Sequence, residues 1–400
     1  MKVCVIGGGA AGMMAAITAA DCGHHVLLLE RQARVGRKLM ATGNGRCNLT
    51  NLRVAPAYYH GEDSEFCIHA LSAFDVETTL QWFERHGLVT TTEDNGRVYP
   101  YSNMAGSVLD VLRYALEREN IELHTGCTVT RIRRRGSGFT VETDQGSFAA
   151  DKVILCAGGA AGGKVGGVMD GYQLAKQLGH HRTALYPSLV QLKTDPTYPR
   201  ALKGVKADAR IVLHRNGEIL AQNRGEILFT EYGLSGPAIF DISRAAATGG
   251  EGMMVDLDFL WHWTLPATYD WLQQRRKDAG KREASTLLAG TLHSRLGQMV
   301  CKAAGVTTQP CDTLTDRDLQ KISDCLRCFT LDIHGVCGFD QAQVTAGGLR
   351  TDEFDPQTMQ SRLVPGFYAC GEVLDIDGNC GGYNLQWAWS SGHLAGLLME

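Results

Sequence analysis

The first thirty residues constrain this chain more than any other stretch. Lys2–Ile6 is a short apolar run rich in β-branched residues. Gly7-Gly8-Gly9-Ala10-Ala11-Gly12 follows, then an alanine-rich segment to about Cys22, then Val26–Leu29 ending in Glu30. A glycine hexapeptide alone says little. Strand, glycine turn, helix, strand and terminal acid in this order specify a βαβ unit with a dinucleotide site. Gly7 makes the tight turn, Gly9 lets the backbone approach a pyrophosphate, and Gly12 lets the helix pack on the strand. The helix N-terminus at Ala10 and Ala11 presents N–H groups to phosphates. Glu30, with Arg31 beside it, stands where the ribose hydroxyls of an adenosine arrive.

The next stretch bears on which dinucleotide. GRKLMATGNGRCNLTN, Gly36 to Asn51, has neither helical nor strand periodicity. A glycine-rich loop just past the ribose-binding acid can fold back over a pyrophosphate. Arg37, Lys38 and Arg46 then add charge-assisted bonds, and Gly43 and Gly45 allow close backbone approach. A nicotinamide enzyme normally continues into another βα unit, so FAD is the expected cofactor. A second glycine-rich turn, GGAAGGKVGGVMDG from Gly158 to Gly171, does not fit GxGxxG and leads to no second βαβ unit. The expectation is therefore no separate nicotinamide domain, with NAD(P)H arriving transiently at the flavin.

Further along, Ser64–Phe74 and Asp75–His86 read as helices, the second capped by Asp75, and a third helix runs from about Asn103 to Glu119. Short strands follow at Glu122–Val129, Arg131–Arg134, Gly138–Thr143 and Ser147–Ala149, leading to DKVILCAGG, Asp151 to Gly159. Ser188 to Leu257 is strand-rich, and Pro266 to Phe329 is helical and polar. The ending, GEVLDIDGNCGGYNLQ, returns to the style of the opening: a glycine loop that starts a helix. The fold class is α/β. A Rossmann-type FAD-binding domain is built from both chain ends (1–187 and 335–400), with an inserted β-barrel-like domain (188–262, completed by part of 305–335) and a small helical domain (263–334).

Composition narrows the function. With 39 Lys and Arg against 43 Asp and Glu, the net charge is −4, so there is no broad basic field for nucleic acid or anionic membrane. Arg133-Arg134-Arg135 reads as a solvated strand edge. No apolar run approaches the ~20 residues that span a bilayer. The opening MKVCVIGGG is a strand rather than a secretory leader, so the thirteen cysteines are expected reduced and the protein cytoplasmic. Cys325 and Cys328 form the only CxxC. They share a segment with Leu319, Ile322 and Leu326 at helix-face spacing, which favours packing over redox or metal chemistry. In GLSGP, Ser235 is expected as a helix N-cap with Pro237 in the first turn, not as a nucleophile.

Together, GGGAAG, GRKLMATGNGRCNLTN, DKVILCAGG, GEILFTEYGLSGPAIF, VTAGGLRTDEFDPQTM and GEVLDIDGNCGGYNLQWAWSSG resemble the BaiN-like flavoprotein family over essentially the whole chain. Its members are also known as aminoacetone-oxidase-family or NAD(P)/FAD-dependent oxidoreductases. The resemblance implies non-covalent FAD. Gly7, Gly9, Gly12 and Glu30 would hold the ADP half, Lys38 and the Arg46-Cys47-Asn48 loop would lie along the cofactor, and Val129 would meet adenine through its backbone. Gly158 would approach from the returning strand. Gly371, Glu372, Asp377, Gly382, Asn384 and Leu385 would hold the ribityl and ring end. The Gly158–Gly171 turn departs from the family in lacking an aromatic and a proline.

The leading functional expectation is a reductase of small molecules. NAD(P)H reduces FAD, which then saturates an activated carbon–carbon double bond of a bile-acid or steroid-like enone. The alternatives are an oxygen-dependent amine or aminoketone oxidase and, outside that class, an RNA-associated or non-catalytic flavoprotein. Tyr186, Tyr232, Tyr383 and Trp387 are candidates for lining the flavin face. No proton donor is assigned, Cys47 reads as packing rather than as a thiol catalyst, and the oligomeric state stays open.

Overall fold

The computed structural model describes residues 1–399. The chain divides into two units with separate cores: Met1–Pro187 with the chain from Phe339 onward, and Ser188–Gly338.

In the first unit, strand β1 (Lys2–Ile6) is buried along its length except at Lys2. It pairs in parallel with β2 (His25–Glu30) on one side and β4 (Lys152–Leu155) on the other. β3 (Ile121–Thr125) extends the sheet beyond β2, and β5 (Phe367–Ala369) extends it beyond β4, giving five strands in the order β5-β4-β1-β2-β3. The continuous apolar runs follow from burial on both faces. Helix α1 (Ala10–Asp21) is almost wholly buried because α2 (Tyr383–Gly396) packs on it. Gly392 and Gly396 set that approach. A Cβ would stand 2.5 Å from Ala11 O at the first and 2.6 Å from Ala15 O at the second.

The expected strand Glu122–Val129 is in fact two elements. Gly126, at φ +66°, breaks it. Residues up to Thr125 join the parallel sheet as β3, while Val129–Arg135 begins a separate three-stranded antiparallel meander with Gly138–Thr143 and Gly146–Ala150. Asp75 does cap its helix, accepting from Thr78 N–H at 2.8 Å.

The second unit contains a closed barrel of six strands: Leu192–Thr194, Gly233–Ser235, Glu218–Phe229, Lys206–Arg215, Met253–Asp258 and Phe329–Val336, in spatial order. Alternate residues such as Ala209, Ile211, Leu213, Val255 and Leu257 are buried. Between its last two strands run the helices Leu265–Ala279, Ser294–Ala303 and Asp316–Arg327. The last buries Leu319, Ile322 and Leu326 and starts at a reciprocal Thr315–Asp318 cap. Ser235 is not a helix cap. It ends a barrel strand opposite Leu228, and Gly236 occupies the cap position at φ +107°, where a Cβ would lie 2.8 Å from Glu226 O.

Candidate active site

β1 and β4 end side by side, and their C-terminal ends open into a cleft of about 830 Å³, its mouth included. This is where open parallel sheets bind ligands. Gly7, Gly8 and Gly9, Glu30 and Arg31, Thr128 and Val129, and Gly158 and Gly159 line the cleft. Of the predicted residues, Gly7, Gly9, Glu30, Arg31, Lys38, Val129 and Gly158 line it.

The glycines separate into two kinds. At Gly7 (φ +107°) a Cβ would stand 2.4 Å from Cys156 O, and at Gly12 one would stand 1.8 Å from Gly7 O. Protein packing alone demands both. Gly9 is different: its φ of −78° suits any residue, and a Cβ there meets nothing within 4 Å. It lines the cleft at the N-terminus of α1, where no side chain caps the helix. The open backbone there would suit a ligand lying against it, such as a pyrophosphate at a helix N-terminus. Glu30 accepts from Gly8 N–H at 2.7 Å through one oxygen and from Gln32 N–H at 2.6 Å through the other. Each oxygen retains a lone pair for a ribose hydroxyl.

The cleft's cations are Arg31, Arg37 and Lys38. Lys38 Nζ lies 2.6 Å from Glu372 Oε2, and Glu372 Oε1 accepts from Thr345 N–H at 3.0 Å. Thr345 Oγ1 in turn accepts from Ala161 N–H at 3.0 Å. One carboxylate thus ties the loop after β2 to the loop after β5 and to the strand Val344–Ala346, whose Thr345 holds the glycine-rich turn. Thr345, Gly8, Gly159 and Thr128 carried no assigned role in the sequence. Thr345 sits in the quoted VTAGGLRTDEF motif, which was the available signal.

Arg46 is placed elsewhere. It spans Asn103 Oδ1 and Glu93 Oε1, both at 2.8 Å, and covers the Tyr99 ring at 3.9 Å. Its charge is spent holding the Gly43–Arg46 turn, and it does not line the cleft. Cys47 is fully buried at φ +59°, and burial pushes its thiol up to about 12, so it is no thiolate at neutral pH.

The remaining predicted residues gather around the start of α2. Gly371 donates its N–H to Ser391 Oγ at 2.9 Å and accepts from Trp387 Nε1 at 3.1 Å, so its main-chain groups serve the fold. A Cβ there would meet Ala11 at 2.7 Å. Trp387 is therefore core rather than flavin face. Asn384 spends its amide on Gly378, accepting from N–H at 2.8 Å and donating to C=O at 2.7 Å, which shapes the turn ahead of the helix. Asp377 is buried in a short strand paired with His60. Leu385 packs half-buried in the first turn of α2. Gly382 caps α2 at φ +100° with no side-chain cap, and a Cβ there would stand 3.0 Å from Asn48 Oδ1. That Asn48 oxygen is buried and without a hydrogen-bond partner among the described residues. An orphaned acceptor beside an uncapped helix N-terminus fits a polar ligand edge that donates N–H and gains negative charge on reduction. Both ends thus fit FAD, which when bound supplies two-electron hydride chemistry.

Residues 1–398 match the family model described as HI0933-like protein Rossmann domain. The chain belongs to this family. Among curated relatives, 3-dehydro-bile acid delta(4,6)-reductase of Clostridium scindens is 38% identical, covering 99% of this chain and 98% of the relative. Ribosomal RNA dihydrouridine synthase of Escherichia coli is 31% identical, covering 97% and 95%. Among solved structures, 3-ketosteroid delta1-dehydrogenase from Sterolibacterium denitrificans matches with a TM-score of 0.50 at 13% identity, covering 99% of this chain and 98% of that one; this speaks for the fold. The protein is an FAD-dependent oxidoreductase of the BaiN-like kind. No helix among the described residues is long and apolar enough to cross a membrane.

Proposed function

We infer that this protein reduces a carbon–carbon double bond conjugated to a carbonyl in a small enone, with NAD(P)H reloading the flavin. The observation that carries the reading is the 38% identity to a bile-acid delta(4,6)-reductase, sustained over 99% of this chain. The role of the chain is to hold FAD and the substrate in register and to exclude water. Gly9 and Lys38 would serve the pyrophosphate, Glu30 the ribose, and the Gly382 end of α2 with Asn48 the ring edge. The cytoplasm is the compartment this reading requires. There a reduced dinucleotide is at hand, and the buried Cys156 and Cys370 thiols, 3.2 Å apart, stay unjoined.

A second reading rests on the 31% relative, named for making dihydrouridine in ribosomal RNA. The operation, saturating a double bond next to a carbonyl, would be the same, and only the molecule carrying it would differ. The net charge of −4 supports the small molecule. Anaerobic incubation of holoenzyme with NADH or NADPH and a 3-oxo-Δ4,6 steroid acid is expected to give a product two hydrogens heavier. Bleaching of the flavin without turnover of any enone, together with reduction of uridine in unmodified ribosomal RNA, would replace this reading by the second.

A further inference from the structure

Arg97, which carried no assigned role in the sequence, packs against the turn that starts α2. Thr50–Asn51 pairs antiparallel with Arg97–Pro100, Asn51 opposite Arg97. Asn51 Nδ2 donates to Gly381 O at 2.8 Å and pins the turn to this ladder. At Gly381, φ +133°, a Cβ would stand 3.1 Å from Arg97 Nε. The next residue, Gly382, is the uncapped N-terminus of α2 with the orphaned Asn48 oxygen beside it, and Asn48 is only 9% exposed. The N–H groups of Gly381 and Gly382 meet no main-chain acceptor among the described residues.

The positive charge in this frame is uncompensated. Arg97 is half-buried and forms no ion pair among the described residues. Glu93 is bound to it through the main chain, Glu93 N–H to Arg97 O 2.9 Å, but the Glu93 carboxylate is committed to Arg46 at 2.8 Å. Arg97 also interacts with the Tyr99 phenol. Burial raises that phenol, so it stays neutral and cancels no charge. A guanidinium keeps its charge at every accessible pH, and a half-buried one gains from an anion beside it. The N-terminus of α2 favours the same sign of ligand. The Asn48 oxygen asks for an N–H donor. A substrate carbonyl offers no N–H. A flavin ring offers one, and it becomes negative when two electrons and one proton enter it.

We propose that Arg97 holds the negative charge that the flavin ring gains on reduction, and so favours reduced over oxidised FAD. No bond to the protein forms or breaks in this step. This rests on the ring edge lying at Gly382 and Asn48, as inferred above, and not on the identity of the substrate.

Anaerobic dye-coupled titration of the holoenzyme, giving the two-electron midpoint potential, tests it on wild type, Arg97→Met, Arg97→Lys and Asn48→Leu. Methionine keeps most of the apolar stem that packs on Gly381. Arg97→Met is expected to lower the preference for reduced FAD about tenfold, a fall of about 30 mV. Arg97→Lys, which keeps the charge, should fall by less than half as much. An unchanged potential in Arg97→Met, or an equal fall in both Arg97 variants, would overturn the role of the charge. If Asn48→Leu weakens FAD while Arg97→Met leaves the potential unchanged, the ring edge stands where it was placed and Arg97 has no part in it. If Asn48→Leu binds FAD as tightly as wild type and at the same potential, the placement of the ring edge fails and Arg97's role with it.

Discussion

At the scale of single residues, the glycines of the opening turn answer to different demands. Gly12→Ala places a methyl 1.8 Å from Gly7 O and should cost about 3 kcal/mol of stability, read as a fall in the denaturation midpoint of the apoprotein. Gly9→Ala adds a Cβ that meets no protein atom within 4 Å and should leave the apoprotein midpoint near wild type while weakening FAD by about tenfold or more. Equal loss of stability in both variants would show that Gly9 serves packing. Cys47 makes a second residue-scale test. With its thiol at about 12 and buried, it should resist iodoacetamide in the native protein at pH 8, while the exposed Cys22 and Cys328 are alkylated. Peptide mass mapping decides it, and prompt labelling of Cys47 would contradict its burial. The packing demands at Gly7 and Gly12 were legible because local order alone imposes them. Arg46 was not: its partners Glu93, Tyr99 and Asn103 lie far along the chain, and nothing in a basic loop tells a phosphate ligand from an internal brace.

At the scale of elements, the cleft depends on loops joined by a few polar links. Lys38→Met should leave folding intact but raise the FAD dissociation constant by about fivefold, since the partly buried pair with Glu372 is worth about 1 kcal/mol and Lys38 also faces the cleft. An unchanged dissociation rate would dismiss Lys38 as a cofactor contact. Elsewhere, two histidines, His180 buried and His393 half-buried, brace elements. His180 joins Glu353 at 2.8 Å and Ser361 at 2.9 Å, and His393 on α2 meets Thr18 on α1 at 3.1 Å. Burial holds both below the ordinary value of 6.5 despite the Glu353 carboxylate beside His180. The unfolded chain therefore takes up protons that the folded chain refuses, so the stability present above pH 6.5 is lost as pH falls below it. A thermal midpoint that stays flat between pH 7.5 and 5.5 would contradict this. The element boundaries show what local pattern misses. Gly126 splits an apparent strand into two elements of different sheets, because only tertiary pairing decides which neighbour each half finds. Ser235 yields the cap to Gly236 because the barrel ladder claims it first.

At the scale of the whole molecule, the βαβ opening and the glycine loop before α2 read clearly as parts of one site, since each carries its own helix N-terminus. The barrel was less legible. Its closing strand, Phe329–Val336, comes after three helices, and a segment of that kind resembles the end of a helical region until its partner Met253–Asp258 is known. The two separate cores lead to a further expectation: FAD should slow amide hydrogen exchange in β1, β4 and α1 of the first unit. Protection confined to residues 188–338 would place the cofactor wrongly. Reduced flavin in this protein is expected to pass hydride to an enone. The most direct measurement mixes photoreduced holoenzyme, without oxygen or nicotinamide, with a 3-oxo-Δ4,6 steroid acid and follows the flavin band. Recovery of the oxidised spectrum with one equivalent of a product two hydrogens heavier, one of its two carbon–carbon double bonds reduced, is the predicted result. A flavin that stays bleached until oxygen is admitted would contradict the account and point to an oxidase.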